Sequence, residues 1–196
     1  MDGLITAAAR ALASGDALGA LNYVSLRDDP PALALRGIAM AQLGDLRRAR
    51  QLLRRAARAF GPKEAVARAR CVIAEAEIAL VSRDLGWPLR PLASARQALE
   101  RRGDDVNAAH ARHLETRYLV LIGGLDEAER LLAAFDPSPL TAASMAAHEL
   151  VVAGIAMRRL RIKSARGALA RARSIARETQ ISALDSEVEK IGRAHV

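Results

Sequence analysis

The sequence predicts an all-α protein built from about five antiparallel helical hairpins. Two observations carry that expectation. First, of 196 residues 43 are Ala and 27 are Leu, against two Phe, two Tyr and one Trp. Such a chain forms helices readily and sheets poorly. Second, apolar residues recur every three or four positions, in helix-length segments broken by Gly, Asp and Pro. Leu46, Ala49, Leu53, Ala56 and Phe60 form one such stripe, with Arg47, Arg50, Arg54 and Arg58 on the opposite side.

The elements follow in order. A first helix spans about 3–14, broken by Gly15–Asp16, and a second spans 17–26. Asp28, Asp29, Pro30 and Pro31 read as a stop, because proline restricts its predecessor and cannot continue the hydrogen-bond ladder. The second hairpin covers 32–60, with Gly44–Asp45 as its turn and Gly61–Pro62 as its end. The third covers 63–101, a long helix to 83 followed by a bend through Gly86, Pro88 and Pro91. The fourth covers 106–135, hinged at Gly123–Gly124, and the fifth covers 140–178. A short C-terminal helix is expected at 184–191. No linker or low-complexity segment interrupts the series, so residues 1–196 are expected to form a single domain.

Charge and cysteine content narrow the class. There are 27 Arg, only three Lys and a formal net charge of +8. The chain is too apolar for a disordered one, and a single Cys cannot make an intrachain disulfide. The longest apolar runs, 118–125 and 150–157, fall far short of the roughly 20 residues of a membrane span. Arg10 and Asp16 interrupt what would be the apolar part of a signal peptide, so a reducing, cytoplasmic setting is expected.

The turns share a signature. Gly44-Asp45-Leu46-Arg47-Arg48-Ala49 parallels Gly123-Gly124-Leu125-Asp126-Glu127-Ala128, while Gly15-Asp16-Ala17-Leu18-Gly19-Ala20 and Arg161-Ile162-Lys163-Ser164-Ala165 are weaker versions. Each turn feeds a helix with an early Ala, where a larger side chain would push the paired helices apart. In the best repeat Gly37 and Ala49 occupy small positions, and Leu33, Met40 and Leu53 occupy apolar ones. This pattern resembles the tetratricopeptide repeat family, with its helix–turn–helix period of 34 residues. Arg36 stands where that family has Leu, and the spacing of the early alanines wanders, so the likeness is to a degenerate, tetratricopeptide-like (TPR-like) array. The resemblance implies an α-solenoid in which first helices line a groove and second helices face outward. The Ala- and Arg-rich style also resembles the sensor or interaction regions of large bacterial transcription regulators of the maltose-activator type.

Catalytic and cofactor signatures are missing from the sequence. The glycines form neither a dinucleotide fingerprint nor a phosphate-binding loop. His148–Glu149 opens like a zinc-protease helix, but Val152 stands where the second His belongs. Cys71 reads as a small buried hydrophobe. His110 and His113 share a helix face, three residues apart, without the convergent acidic or Cys ligands of a metal site. If the TPR-like register holds, His110, His113 and Arg117, with Arg158 from a later helix, line the groove and donate hydrogen bonds to a peptide or small anion. Arg47, Arg50, Arg54 and Arg58 form a basic outer surface, where nucleic acid and a merely solvated face are the two readings.

The expected function is therefore a non-enzymatic interaction or scaffold module without cofactor. A regulatory or sensor domain of a bacterial regulator, binding an acidic peptide or protein partner, fits best. Direct binding of DNA or RNA by the arginine-rich helices is the alternative, and self-association into a homo-oligomer stays open.

Overall fold

A computed structural model describes residues 2–134, 136–138 and 140–179. Among the described residues there are ten α-helices, one short 3-10 turn and no strand. The helices are α1 (Gly3–Ala13), α2 (Ala17–Val24), α3 (Pro30–Gln42), α4 (Leu46–Ala59), α5 (Ala65–Val81), α6 (Leu89–Glu100), α7 (Asp105–Leu121), α8 (Leu125–Ala133), α9 (Ala142–Arg158) and α10 (Ile162–Thr179). The expected helix at 184–191 lies outside the described residues.

Side-chain caps start several of these helices. Asp16, Asp29 and Asp45 accept hydrogen bonds from the backbone N–H of Gly19, Ala32 and Arg48, at 2.8, 3.3 and 3.0 Å. Each satisfies one of the orphan donors of a first turn. Pro30 and Pro31 correct the expected boundary: they are the first two residues of α3 and not a stop before it. A proline at the start of a helix sacrifices no ladder bond, because the first N–H groups have no intrahelical partner, and its φ is already helical.

One turn geometry joins the helices in all five pairs. The backbone N–H of Asp16, Asp45, Asp84, Gly124 and Arg161 donates to the carbonyl five residues back, at 2.8–2.9 Å. The residue before each donor, namely Gly15, Gly44, Arg83, Gly123 and Leu160, has φ between 52° and 86°. This is the Schellman closure of a helix C-terminus, which requires a left-handed residue. Glycine meets that requirement at three of the five sites; Arg83 and Leu160 meet it without glycine's freedom.

The chain divides into two compact units between Ala111 and Arg112, within α7. In the first unit each of α1 to α5 packs on the helix that follows it, and α1, α3 and α5 also touch in series. Small residues make these approaches close. Ala8, Ala20, Ala32, Ala39, Ala49 and Ala56 are completely buried. A Cβ on Gly37 would stand 2.8 Å from Leu53 Cγ. Leu33, Leu53, Phe60, Cys71 and Ile78 form the larger part of this core.

In the second unit α9 and α10 pack together, with Leu150 against Ala172. Arg161 reaches Glu129 at 2.6 Å, and Arg159 pairs with Asp126, so the α9–α10 turn is tied to α8. Arg171 grips Glu149 through two hydrogen bonds of 2.9 and 2.8 Å.

Candidate functional site

An open apolar concavity of about 420 Å³ lies on the first unit. Three odd-numbered helices build it. Ile5 and Ala9 come from α1, Leu35 and Ile38 from α3, and Val66 and Ala67 from α5, over Leu53 and Phe60. The spacings of four for Ile5 and Ala9, three for Leu35 and Ile38, and four for Ala67 and Cys71 put those side chains on one face of each helix. These helices are therefore apolar on a face beyond the one that meets their hairpin partner. At the edge, Glu64 accepts from the Gly61 N–H at 2.8 Å, and Arg70 pairs with Asp104 at 2.6 Å. Against the opposing effect of burial, hydrogen bonds from Asn107 and then the Arg70 contact hold the Asp104 carboxyl below its ordinary range. Cys71 also borders the concavity. Burial pushes its thiol up to about 11, as expected of a packed hydrophobe and not a nucleophile.

This site was not among the residues the sequence singled out. Its signal was present as Ile5/Ala9, Leu35/Ile38 and Val66/Ala67, apolar positions left over once each helix's buried stripe is assigned.

The arginines of α4 divide into two groups. Arg50 pairs with Asp84 at 2.8 Å and lies 3.9 Å from Glu75, while Arg54 holds Glu75 at 2.7 Å. Trp87 Nε1 also donates to that Glu75 oxygen, at 3.2 Å. Arg55 reaches Asp28 at 3.4 Å. Arg47 and Arg58 are exposed and have no acidic partner among the described residues. Two adjoining hollows of about 430 and 570 Å³ run along this helix and share Gln51 and Arg54.

The four residues expected to line a groove are placed differently from one another. In the first unit, His110 Nε2 lies 2.6 Å from Glu77 Oε1 on α5, a contact between helices. In the second unit, His113 is only 3% exposed and packs against His148. It presents no surface to a partner from solution. Arg117 is exposed on α7. Arg158 donates to the Gly154 carbonyl at 3.0 Å, closing the last turn of its own helix.

Among the described residues no group of three or more His, Cys, Asp or Glu is placed to hold a metal ion. No helix among them is long and apolar enough to cross a membrane. Comparison with protein-family models, curated proteins and solved structures gives no match.

Proposed function

We propose that this chain is a non-enzymatic interaction module of TPR-like hairpins, and that a peptide or helix of a protein partner docks in the apolar concavity of the first unit. The carrying observation is that three successive odd-numbered helices jointly leave an apolar hollow of about 420 Å³ open to solvent. A contiguous exposed apolar surface on a monomer marks a place where something else binds. Helix-to-next-helix packing, the added contacts of α1 with α3 and of α3 with α5, and the equivalent turns at Gly15, Gly44 and Arg83 support a short α-solenoid in this unit. A partner that inserts apolar side chains at helical or alternate spacing satisfies such a hollow. In this role the chain serves as a regulatory or sensor element.

Panning a random peptide library on the protein, then titrating the selected peptides against wild type and Ile38→Asn, tests the proposal. Selected peptides carry spaced apolar anchors and bind the variant at least tenfold more weakly, with helical content unchanged. Equal binding to both proteins overturns it.

Direct nucleic-acid binding is the second reading. It draws on Arg47 and Arg58, whose charges no acidic residue balances among the described residues. It predicts affinity that falls steeply with salt.

A further inference from the structure

The hollows along α4 call for a ligand different from that of the apolar concavity. Helix α4 carries six arginines and no acidic residue. Among the described residues three carboxylates, those of Asp28, Glu75 and Asp84, pair with it, and they engage Arg55, Arg54 and Arg50. Half of the positive charge, at Arg47, Arg48 and Arg58, has no acidic partner among the described residues. On a chain with a net charge of +8 this asks for an anionic ligand.

The arrangement selects the kind of anion. Arg47 and Arg58 stand at opposite ends of the paired hollows, one bordering each. Eleven residues of helix separate them by about 16 Å. Between them, Arg50 and Arg54 are already held by Glu75 and Asp84, so the centre of the furrow is neutralised and the ends are not. A nucleic-acid strand carries a charge about every 3.4 Å and would set several phosphates against that neutral centre. No aromatic side chain borders either hollow, so bases find no stacking platform. An extended peptide rises about 3.3 Å per residue and returns side chains to the same face every second residue, so two carboxylates four positions apart share a face and span about 13 Å, a length that the flexible arginine and glutamate side chains extend to the span of Arg47 and Arg58. Planar guanidiniums bind such carboxylates through paired hydrogen bonds.

We propose that the α4 furrow binds an extended acidic peptide segment whose two carboxylates, four residues apart on one face, are taken by Arg47 and Arg58. Gln51, exposed midway along the helix and shared by both hollows, offers an amide to the peptide backbone. This site is independent of the apolar concavity and survives Ile38→Asn.

The test follows the arginine side-chain NMR signals of the full chain at low salt during titration with Glu-Ser-Gly-Ser-Glu. Controls are the same peptide with both Glu replaced by Gln, an isomer with the two Glu adjacent, and a 12-nucleotide oligo-dT. The spaced peptide is expected to bind at least fivefold more tightly than either control peptide. Arg47→Gln and Arg58→Gln should each weaken it severalfold, and the double variant should bind it no better than the Gln control. Both side chains are exposed, so unchanged circular dichroism separates this loss from unfolding. Equal affinity for spaced and adjacent carboxylates overturns the proposal in favour of simple charge attraction. Oligo-dT binding that exceeds the peptide's tenfold and is lost in the same double variant assigns the furrow to nucleic acid. Spaced-peptide binding that the double variant leaves intact also overturns it.

Discussion

The imidazole rings of His113 on α7 and His148 on α9 meet inside the second unit, 6.1 Å between centroids and tilted by 49°. Both are buried, and burial pushes His148 below its ordinary value of 6.5. Arg171 adds to that effect, and Glu149, which Arg171 grips, opposes it. The folded chain thus resists a proton that the unfolded chain accepts, so stability rises with pH. His148 contributes fully above about pH 6.5, and that contribution is lost as pH falls toward the depressed folded value. Thermal melts between pH 8 and 5.5 should show a falling midpoint below about 6.5. His148→Gln should flatten that slope; an unchanged slope would show that other groups set it.

Gly37 and Leu53 interlock α3 with α4. A methyl group at Gly37 would meet Leu53 Cγ at 2.8 Å and the Ala49 carbonyl at 3.2 Å. Alanine is ordinarily favoured over glycine within a helix by about 1 kcal/mol. Here the overpacking exceeds that gain, and Gly37→Ala should destabilise by about 1–2 kcal/mol. Urea denaturation measures the difference, and a stabilised variant would show that the helices move apart freely.

Leu160 sits at φ 57° and is 86% exposed. Neither its backbone conformation nor its surroundings favour leucine, because a left-handed L-residue costs about 1–2 kcal/mol. Leu160→Gly should stabilise the second unit by roughly 0.5–1 kcal/mol, while Gly44→Ala at the equivalent turn of the first should lose about 1 kcal/mol. Opposite signs in paired denaturation curves test the equivalence of the two turns.

Glu75 joins α4, α5 and Trp87 through one carboxylate. It accepts from Arg54 and from the indole of buried Trp87. Glu75→Ala leaves that indole N–H without its acceptor, at a cost of about 1–3 kcal/mol. The indole fluorescence should shift to the red as water reaches it, and an unshifted spectrum would place the stabilising contact elsewhere.

Local chemistry alone determined much of this protein. Ala- and Leu-rich segments with a three-and-four period are helices whatever surrounds them, and Gly44–Asp45 and Gly123–Gly124 end and restart them as read. The stripe Ala49, Leu53 and Ala56 is buried as its spacing requires. Pro30 and Pro31 deceived because proline is as suited to a first turn as it is unsuited to an interior. The tertiary structure decided the rest, since periodicity tells which side chains share a face but not what that face meets. His113 and His110 share a face of α7, yet one ring lies against His148, 35 residues later, and the other against Glu77, 33 residues earlier. Arg54 looks like Arg58 in sequence, but Glu75, 21 residues on, neutralises only the former. The apolar concavity needs α1, α3 and α5 side by side, a juxtaposition that no one helix encodes.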